Sequence, residues 1–131
     1  KNNLRKVSNA MRRCGFVGRL NTSDLRSGNP TPVLRLVQFL LSESSRHVAM
    51  AVATSGFVFY SKPLDRRLCE DAFRAASSVF DYRPRLTPSQ FMSDGFVEHK
   101  LMFVTVLASK CHDLHLAKER ERQLASVKVK A

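Results

Sequence analysis

The sequence predicts an all-α fold, a single helical domain that ends in a long C-terminal helix. Apolar residues recur at spacings of three and four in several segments, which favours about five to seven helices. Phe57–Tyr60 is the one run with strand propensity, and no partner strand accompanies it, so we interpret it as an apolar connection. The 131 residues suit one domain, and no apolar run is long enough to span a bilayer.

The N-terminal segment predicts one helix and one short capped turn. The helix extends from about Asn3 to Cys14 and ends at a glycine. A capped turn then begins at Asn21 and ends at Gly28. The apolar stripe that predicts the first helix is Leu4, Val7, Met11 and Cys14.

Two further helices are predicted before residue 57. One begins at Thr31 and Pro32, because proline suits the first helical position. The other is capped by Ser44 or Ser45 and ends at Gly56. The first of these two should lie centrally, because its apolar stripe is nearly continuous: Val33, Leu36, Val37, Leu40 and Leu41.

The second half of the chain predicts two long helices. Pro63 opens the first of them, and Phe96 begins the longest helix of the chain. Beyond Leu116 the apolar pattern gives way to residues that are charged all round. We therefore expect a domain at 1–116 and a charged helical extension at 117–131.

The stretch Phe80–Lys100 connects these two helices. Pro84 disfavours helical backbone angles in the residue before it, so the chain should leave the helix there. Thr87 and Gln90 have the spacing of a capping box, and Gly95 supplies a left-handed stop. We expect the large side chains of this stretch to fill the core, and these are Phe80, Tyr82, Leu86, Phe91 and Phe96.

The same stretch resembles a known family. Its pattern is similar to the signature at the end of the N-terminal domain of the family of the centrosomal protein of forty-four kilodaltons, a divergent calponin-homology-like module. A weaker match, SGNP at 27–30, resembles that family's Gly-Asp-Pro turn. The resemblance covers most of residues 4–110 and implies a calponin-homology-like fold that binds microtubules. The residues that carry it are Phe80, Asp81, Tyr82, Arg83, Pro84, Leu86, Thr87, Gln90, Phe91, Gly95, Phe96, Glu98 and Lys100.

The chain is strongly basic. Its 22 lysines and arginines against 11 acidic residues give a formal net charge of +11, which implies an acidic partner. Nucleic acid, anionic membrane and the surface of a tubulin polymer all qualify. Arg83 and Arg85 bracket Pro84 on a stiff segment and suit fixed contacts to carboxylates. The predicted partner-binding residues are Arg12, Arg13, Arg66, Arg67, Arg83, Arg85 and Lys100.

No pattern in the sequence predicts a catalytic, cofactor or metal site. The three cysteines are widely spaced and fit reduced thiols of a cytosolic protein. Cys111 and His115 have a spacing that could place two metal ligands on one helix face, but no supporting ligands accompany them. Phosphate loops and carboxylate pairs in apolar surroundings are also missing from the sequence. We expect no enzyme activity, no cofactor and no metal.

These observations favour a non-catalytic structural module. The resemblance implies that it contacts the acidic tubulin lattice in a cytoplasmic, cytoskeletal setting: a centriole, a basal body or a ciliary axoneme. A scaffold module that docks other centriolar or axonemal proteins is an alternative, and so is a basic helical nucleic-acid-binding domain. Nucleic acid is disfavoured because no recognition helix follows a glycine turn. A membrane partner is not expected.

Overall fold

The computed structural model describes the backbone of residues 2–130 and the side chains of residues 3–127. Within these limits the chain forms helices and no strand, so the all-α prediction is confirmed. The helices are α1 (Asn2–Arg13), α2 (Thr22–Arg26), α3 (Pro30–Ser42), α4 (Arg46–Thr54), α5 (Arg66–Phe80), α6 (Pro88–Met92) and α7 (Val97–Lys130).

Helix α7 forms the centre of the fold, and its N-terminal half packs against α1, α3 and α4. Its inward face is apolar and buried because apolar residues recur every three or four positions. The Cys14 thiol donates to the Ala108 carbonyl at 3.2 Å, which places α1 on this helix. Helix α3 has the central position that its stripe predicts, since six of its residues are buried: Val33, Leu34, Leu36, Val37, Leu40 and Leu41.

Side chains at the helix starts set several helix boundaries. The Asp65 carboxylate accepts a hydrogen bond from the Leu68 backbone N–H at 3.0 Å. Helix α5 therefore begins at Arg66, and the predicted start at Pro63 is wrong by three residues. An aspartate cap satisfies a backbone N–H that a proline start leaves open. Helix α3 begins at Pro30, slightly earlier than predicted, because Asn29 caps it.

The apolar run after α4 is a connection, as predicted. The Gln38 side-chain amide donates to the backbone carbonyls of Phe59, at 2.8 Å, and Lys62, at 2.9 Å. These bonds hold the run against α3 without a neighbouring strand. Phe59 is buried, while Val58 and Tyr60 lie exposed on either side of it.

The segment after α5 turns back along that helix. Tyr82 packs against Phe103 of α7, and at the far end the Cys69 thiol of α5 lies 4.0 Å from the Pro88 carbonyl. The capping box of α6 is confirmed. The Gln90 N–H donates to the Thr87 hydroxyl at 3.1 Å, and the Thr87 N–H donates to the Gln90 side-chain oxygen at 2.9 Å.

The prediction that the large side chains of this segment fill the core is wrong for Phe96. Phe91 and Leu86 are buried, and Phe80 and Tyr82 are half-buried against the core, whereas Phe96 is 43% exposed. The turn before α7 explains the difference: Gly95 and Phe96 both have left-handed backbone, with φ of 92° and 50°. The Gly95 amide lies against Gly28, where a Cβ atom would approach it to 2.7 Å. This tight packing directs the Phe96 ring outward, where its edge meets the His99 ring.

The predicted boundary at residue 116 lies inside α7, which continues unbroken to Lys130. One contact of the domain body extends beyond that boundary. The His47 Nε2 atom of α4 lies 2.7 Å from a carboxylate oxygen of Glu119, which Arg122 also contacts at 3.1 Å. Beside this pair, the Ser45 hydroxyl lies 2.6 Å from His115 Nδ1. These contacts attach the middle of α7 to the start of α4.

Acid is expected to weaken the contact at Glu119. Hydrogen bonds from Arg122 and from His47 lower the pKa of Glu119 from 4.5 to about 2. Because the folded pKa is the lower one, its contribution to stability is complete above pH 4.5 and is lost as the pH falls toward 2. We expect the difference in melting temperature between the natural chain and Glu119→Gln, followed by circular dichroism, to narrow over that interval. A constant difference would contradict this prediction.

Candidate partner-binding surface

Lys100 does not belong to the basic surface, and its prediction as a partner-binding residue is wrong. Only 1% of its side chain is exposed. Its ammonium group donates to the carbonyl oxygens of Gly28, at 2.6 Å, and Ser93, at 2.5 Å, and lies 5.9 Å from the centre of the Phe91 ring. Burial lowers the pKa of Lys100, and the nearby Asp94 carboxylate partly offsets this. The positive charge of Lys100 therefore stabilises contacts inside the fold and is not accessible to a partner.

Arg83 and Arg85 are exposed on the returning segment, as the sequence predicts. This segment runs back along α5, so Arg83 lies beside the C-terminal part of that helix and Ser89 lies beside its first residue. The Arg83 Nε atom lies 3.4 Å from the Ser77 hydroxyl of α5, and Arg66 donates to the Ser89 hydroxyl of α6 at 2.7 Å. We call Arg66, Arg83 and Arg85 together with Arg67 the α5 edge. Pro84 restrains the backbone between its two central arginines.

Acidic residues partly offset the charge of the α5 edge. The Arg66 guanidinium lies 3.5 Å from Glu70, one helical turn along. Arg67 borders an open cavity of about 440 Å³ that Asp65 and Asp71 also line. Within the part of the chain that the structure describes, Arg83 and Arg85 form no ion pair, so they carry most of the unopposed charge of this edge.

A second basic surface lies on α1. Arg12 and Arg13 are exposed there, and Arg5 and Lys6 share their face on the side opposite the buried stripe. We call these four residues the α1 face. Helix α1 contains no acidic residue. Arg5 and Lys6 were missing from the sequence prediction, although their helical spacing from Arg12 and Arg13 could have identified them.

The basic surface extends from α1 across the following loop. Arg12 and Arg19 line one cavity of about 210 Å³, and Arg19 lines a second, of about 250 Å³, together with Arg35 and Asp24. Val17 is fully exposed in this loop. Asp24 is the one carboxylate among the described residues that line these two cavities, so the α1 face and its neighbours form a broad cationic area.

The α1 face and the α5 edge lie on different sides of α7. Helix α1 reaches α7 at Ala108, while α5 reaches it through the contact between the Phe73 and Phe103 rings, whose centres are 4.9 Å apart. Ala108 and Phe103 are five positions apart, which corresponds to about 140° around a helix. The structure therefore divides the predicted arginines into two surfaces instead of gathering them into one.

The remaining groups offer little chemistry. Burial raises the pKa of Cys69 to about 12 and raises the pKa values of Cys14 and Cys111. Thiols of this kind are poor nucleophiles and poor metal ligands. Among the described side chains, histidine, cysteine, aspartate and glutamate nowhere gather in threes as a metal site requires. No helix in the described residues combines the length and the apolar character needed to cross a membrane.

Comparison with known proteins identifies the family. The family model described as "Centrosomal spindle body, CEP44" matches residues 1–125. The chain belongs to this family. The match covers both basic surfaces and most of α7, so the arrangement described above is that of a CEP44-family module.

Curated members of the CEP44 family match between 77% and 97% of this chain. The "Centrosomal protein of 44 kDa" of Rattus norvegicus is 29% identical over 79% of this chain and 27% of its own length. The Homo sapiens protein of the same name is 24% identical over 97% of this chain and 31% of its own length. The Xenopus tropicalis protein is 26% identical over 77% of this chain and 26% of its own length. The chain therefore spans about a quarter to a third of these relatives.

Several of the residues that carry the resemblance to the CEP44 family have structural roles in the fold. Phe91 and Lys100 are buried, and Thr87 and Gln90 form the capping box of α6. Arg83 is the exposed cation among them. A pattern of this kind identifies the fold of the module, while the surfaces that could bind a partner have to be found from exposure and charge.

Proposed function

We propose that this chain is a non-catalytic structural module of a centrosomal protein, and that it binds microtubules through its exposed basic surfaces. Its relatives are centrosomal proteins by name, and the family is not a known enzyme family. The observation that carries the proposal is the pair Arg83 and Arg85, two exposed arginines without an ion pair among the described residues, held on a stiff returning segment. Arginines in such positions suit bidentate contacts to the carboxylates of tubulin.

A polymer is a suitable partner for contacts of this strength. Each exposed pair contributes about 0.2–1 kcal/mol and is screened by salt. The net charge of +11 steers the chain toward an acidic surface and raises its association rate. A filament repeats its binding site, so modest affinity for each module suffices when further attachments act together. The calponin-homology-like arrangement and a place in a centriole, basal body or axoneme belong to this proposal.

Reversing both arginines to give Arg83→Glu with Arg85→Glu is expected to weaken binding to microtubules roughly tenfold, because two attractive contacts become repulsive. Co-sedimentation with taxol-stabilised microtubules at fixed ionic strength measures the change. The control is Arg46→Glu with Lys110→Glu, which alters the net charge equally at exposed positions outside both basic surfaces. Unchanged binding, or the same loss in the control, would contradict the assignment of this edge.

Folding has to be measured for the same variants. Both arginines are exposed, so helicity and melting temperature should remain near those of the natural chain. A collapse of both would show that the pair is structural. The corresponding change of Arg12 and Arg13 to glutamate tests the α1 face by the same measurement.

A scaffold function is the second candidate, and the separation of the two basic surfaces favours it. A module with cationic areas on different sides of α7 could hold two acidic partners at once. Sedimentation with microtubules, with tail-trimmed microtubules and with DNA distinguishes the candidates. Binding that persists after tail removal would favour the lattice body, binding to no polymer would favour a scaffold, and binding to DNA alone would favour nucleic acid.

A further inference from the structure

The side of α7 that faces away from the core carries an unusual row of exposed apolar residues. Met102, Leu116, Leu124 and Val127 are between 46% and 63% exposed. Met102 and the buried Val104 are two positions apart, about 200° around the helix, so this row lies opposite the core-facing side. We call the row the outer seam, and its members are Met102, Val106, Ser109, Asp113, Leu116, Ala117, Arg120, Leu124 and Val127.

The outer seam has the spacing of a helix-packing surface. Apart from the adjacent Leu116 and Ala117, its members follow one another at intervals of three and four residues, which is the spacing by which one helix meets another along its length. From Met102 to Val127 the seam extends for about 38 Å at 1.5 Å per residue. The buried residues of α7 lie on its opposite side, so the core does not use the outer seam. Val106 and Ser109 are partly exposed, and Leu116 also borders a cavity next to Arg13.

Two charges of opposite sign interrupt the apolar seam. Asp113 and Arg120 are both exposed, and neither takes part in an ion pair among the described side chains. The neighbouring charged residues are already paired, since Lys118 contacts Glu121 and Arg122 contacts Glu119. Asp113 and Arg120 lie equally far from the midpoint between Leu116 and Ala117, so their positions are related by symmetry about that point.

We propose that the outer seam binds the outer seam of a second copy of this chain, in an antiparallel helix pair centred between Leu116 and Ala117. In this arrangement Asp113 of each copy faces Arg120 of the other, which gives two opposite-charge contacts. Val106 faces Val127, and Ser109 faces Leu124. The same surface serves both copies, as a twofold-symmetric dimer requires.

The charges of Asp113 and Arg120 favour an antiparallel pair, and they favour a second copy of this chain as the partner of the outer seam. A parallel pair in register would place Asp113 against Asp113 and Arg120 against Arg120, and like charges in direct opposition are destabilising. The residues that flank the seam are compatible with the antiparallel pair, because His112 faces Glu121 and Lys110 faces Gln123. No like-charged carboxylates or arginines oppose each other across it.

The net charge of +11 on each copy opposes association, and salt at physiological strength screens it. The dimer goes beyond the proposed function and does not depend on it. It would present each basic surface twice, and a polymer could then be bound by both copies with a gain in apparent affinity.

Exchange of the two charges tests the pairing on the 131-residue chain. Sedimentation equilibrium over a concentration series at physiological ionic strength is expected to show a monomer–dimer equilibrium. Asp113→Arg alone and Arg120→Asp alone should each weaken the dimer by roughly tenfold, because each leaves two like-charge contacts. The chain that carries both changes should dimerise like the natural one, and a mixture of the two single variants should form mixed dimers.

The control for net charge is Glu43→Arg, which makes the same change as Asp113→Arg at an exposed position at the end of α3. It should leave the dimer constant nearly unchanged, and circular dichroism should show equal helicity in all variants. A chain that stays monomeric up to its solubility limit would overturn the proposal. A dimer that neither single change weakens would also overturn it.

Discussion

Replacing Phe91 with alanine is expected to lower the free energy of unfolding by about 3–5 kcal/mol, the usual cost of deleting a fully buried ring. Phe91 is completely buried, and its ring meets the edges of Phe73 and Phe103 with centre distances of 6.0 and 5.8 Å. It therefore joins α6 to both α5 and α7. The smaller side chain leaves a cavity among rigid rings that cannot collapse to fill it.

Chemical denaturation followed by circular dichroism measures this loss. The matched control is Phe96→Ala, which removes the same ring from the same stretch of chain at a position that is 43% exposed. We expect the control to cost much less than Phe91→Ala, because the Phe96 ring touches His99 and leaves no internal cavity when it is removed. Equal losses for the two variants would contradict the division between a buried and an exposed phenylalanine.

The sequence predicts the helices well because their signals are local. The capping box at Thr87 and Gln90 acts over three residues, and the stripe of α3 repeats within a single helix. The predicted start of α5 at Pro63 is wrong for a reason that is also local. The side chain of Asp65, two residues later, caps the helix. Features that depend on neighbouring residues could therefore be read from the chain directly.

The errors at Lys100 and Phe96 have a common cause in contacts between distant parts of the chain. One of the two carbonyls that accept a hydrogen bond from Lys100 belongs to Gly28, 72 positions away. Gly28 also packs closely against the backbone of Gly95, in the turn that leaves Phe96 exposed. A lysine normally predicts a surface position and a phenylalanine an internal one. Both expectations fail here because the turn at Gly28 packs against the turn at Gly95. In this arrangement Lys100 is buried and Phe96 is exposed.

For the candidate surfaces too, local features could be predicted from the sequence and the placement of distant segments could not. Exposure of Arg83 and Arg85 follows from the proline between them, so the sequence predicts it. Their separation from Arg12 and Arg13 depends on how α1 and α5 are placed around α7, which no local pattern determines. The outer seam of α7 likewise becomes visible only when the buried side of that helix is known.

Replacing Lys100 with methionine is expected to destabilise the fold by about 2–4 kcal/mol, although methionine has a similar length and packs well. The change removes two hydrogen bonds from a charged donor and leaves the carbonyls of Gly28 and Ser93 without that donor. The carbonyls connect the turn before α3 to the loop before α7, so both turns should loosen together. Denaturant unfolding gives the loss, and Lys110→Met, at an exposed position of the same helix, is the control, with little expected change.

The same pair of variants distinguishes a structural charge from a binding charge. Below its melting temperature, folded Lys100→Met should bind microtubules as the natural chain does, because the ammonium group it loses is not accessible to a partner. Weaker microtubule binding by this variant, at full helicity, would show that Lys100 does contribute to partner binding. If instead stability falls and binding does not, the charge that the sequence assigns to a partner is one that the fold requires, and the exposed arginines are left to carry the interaction.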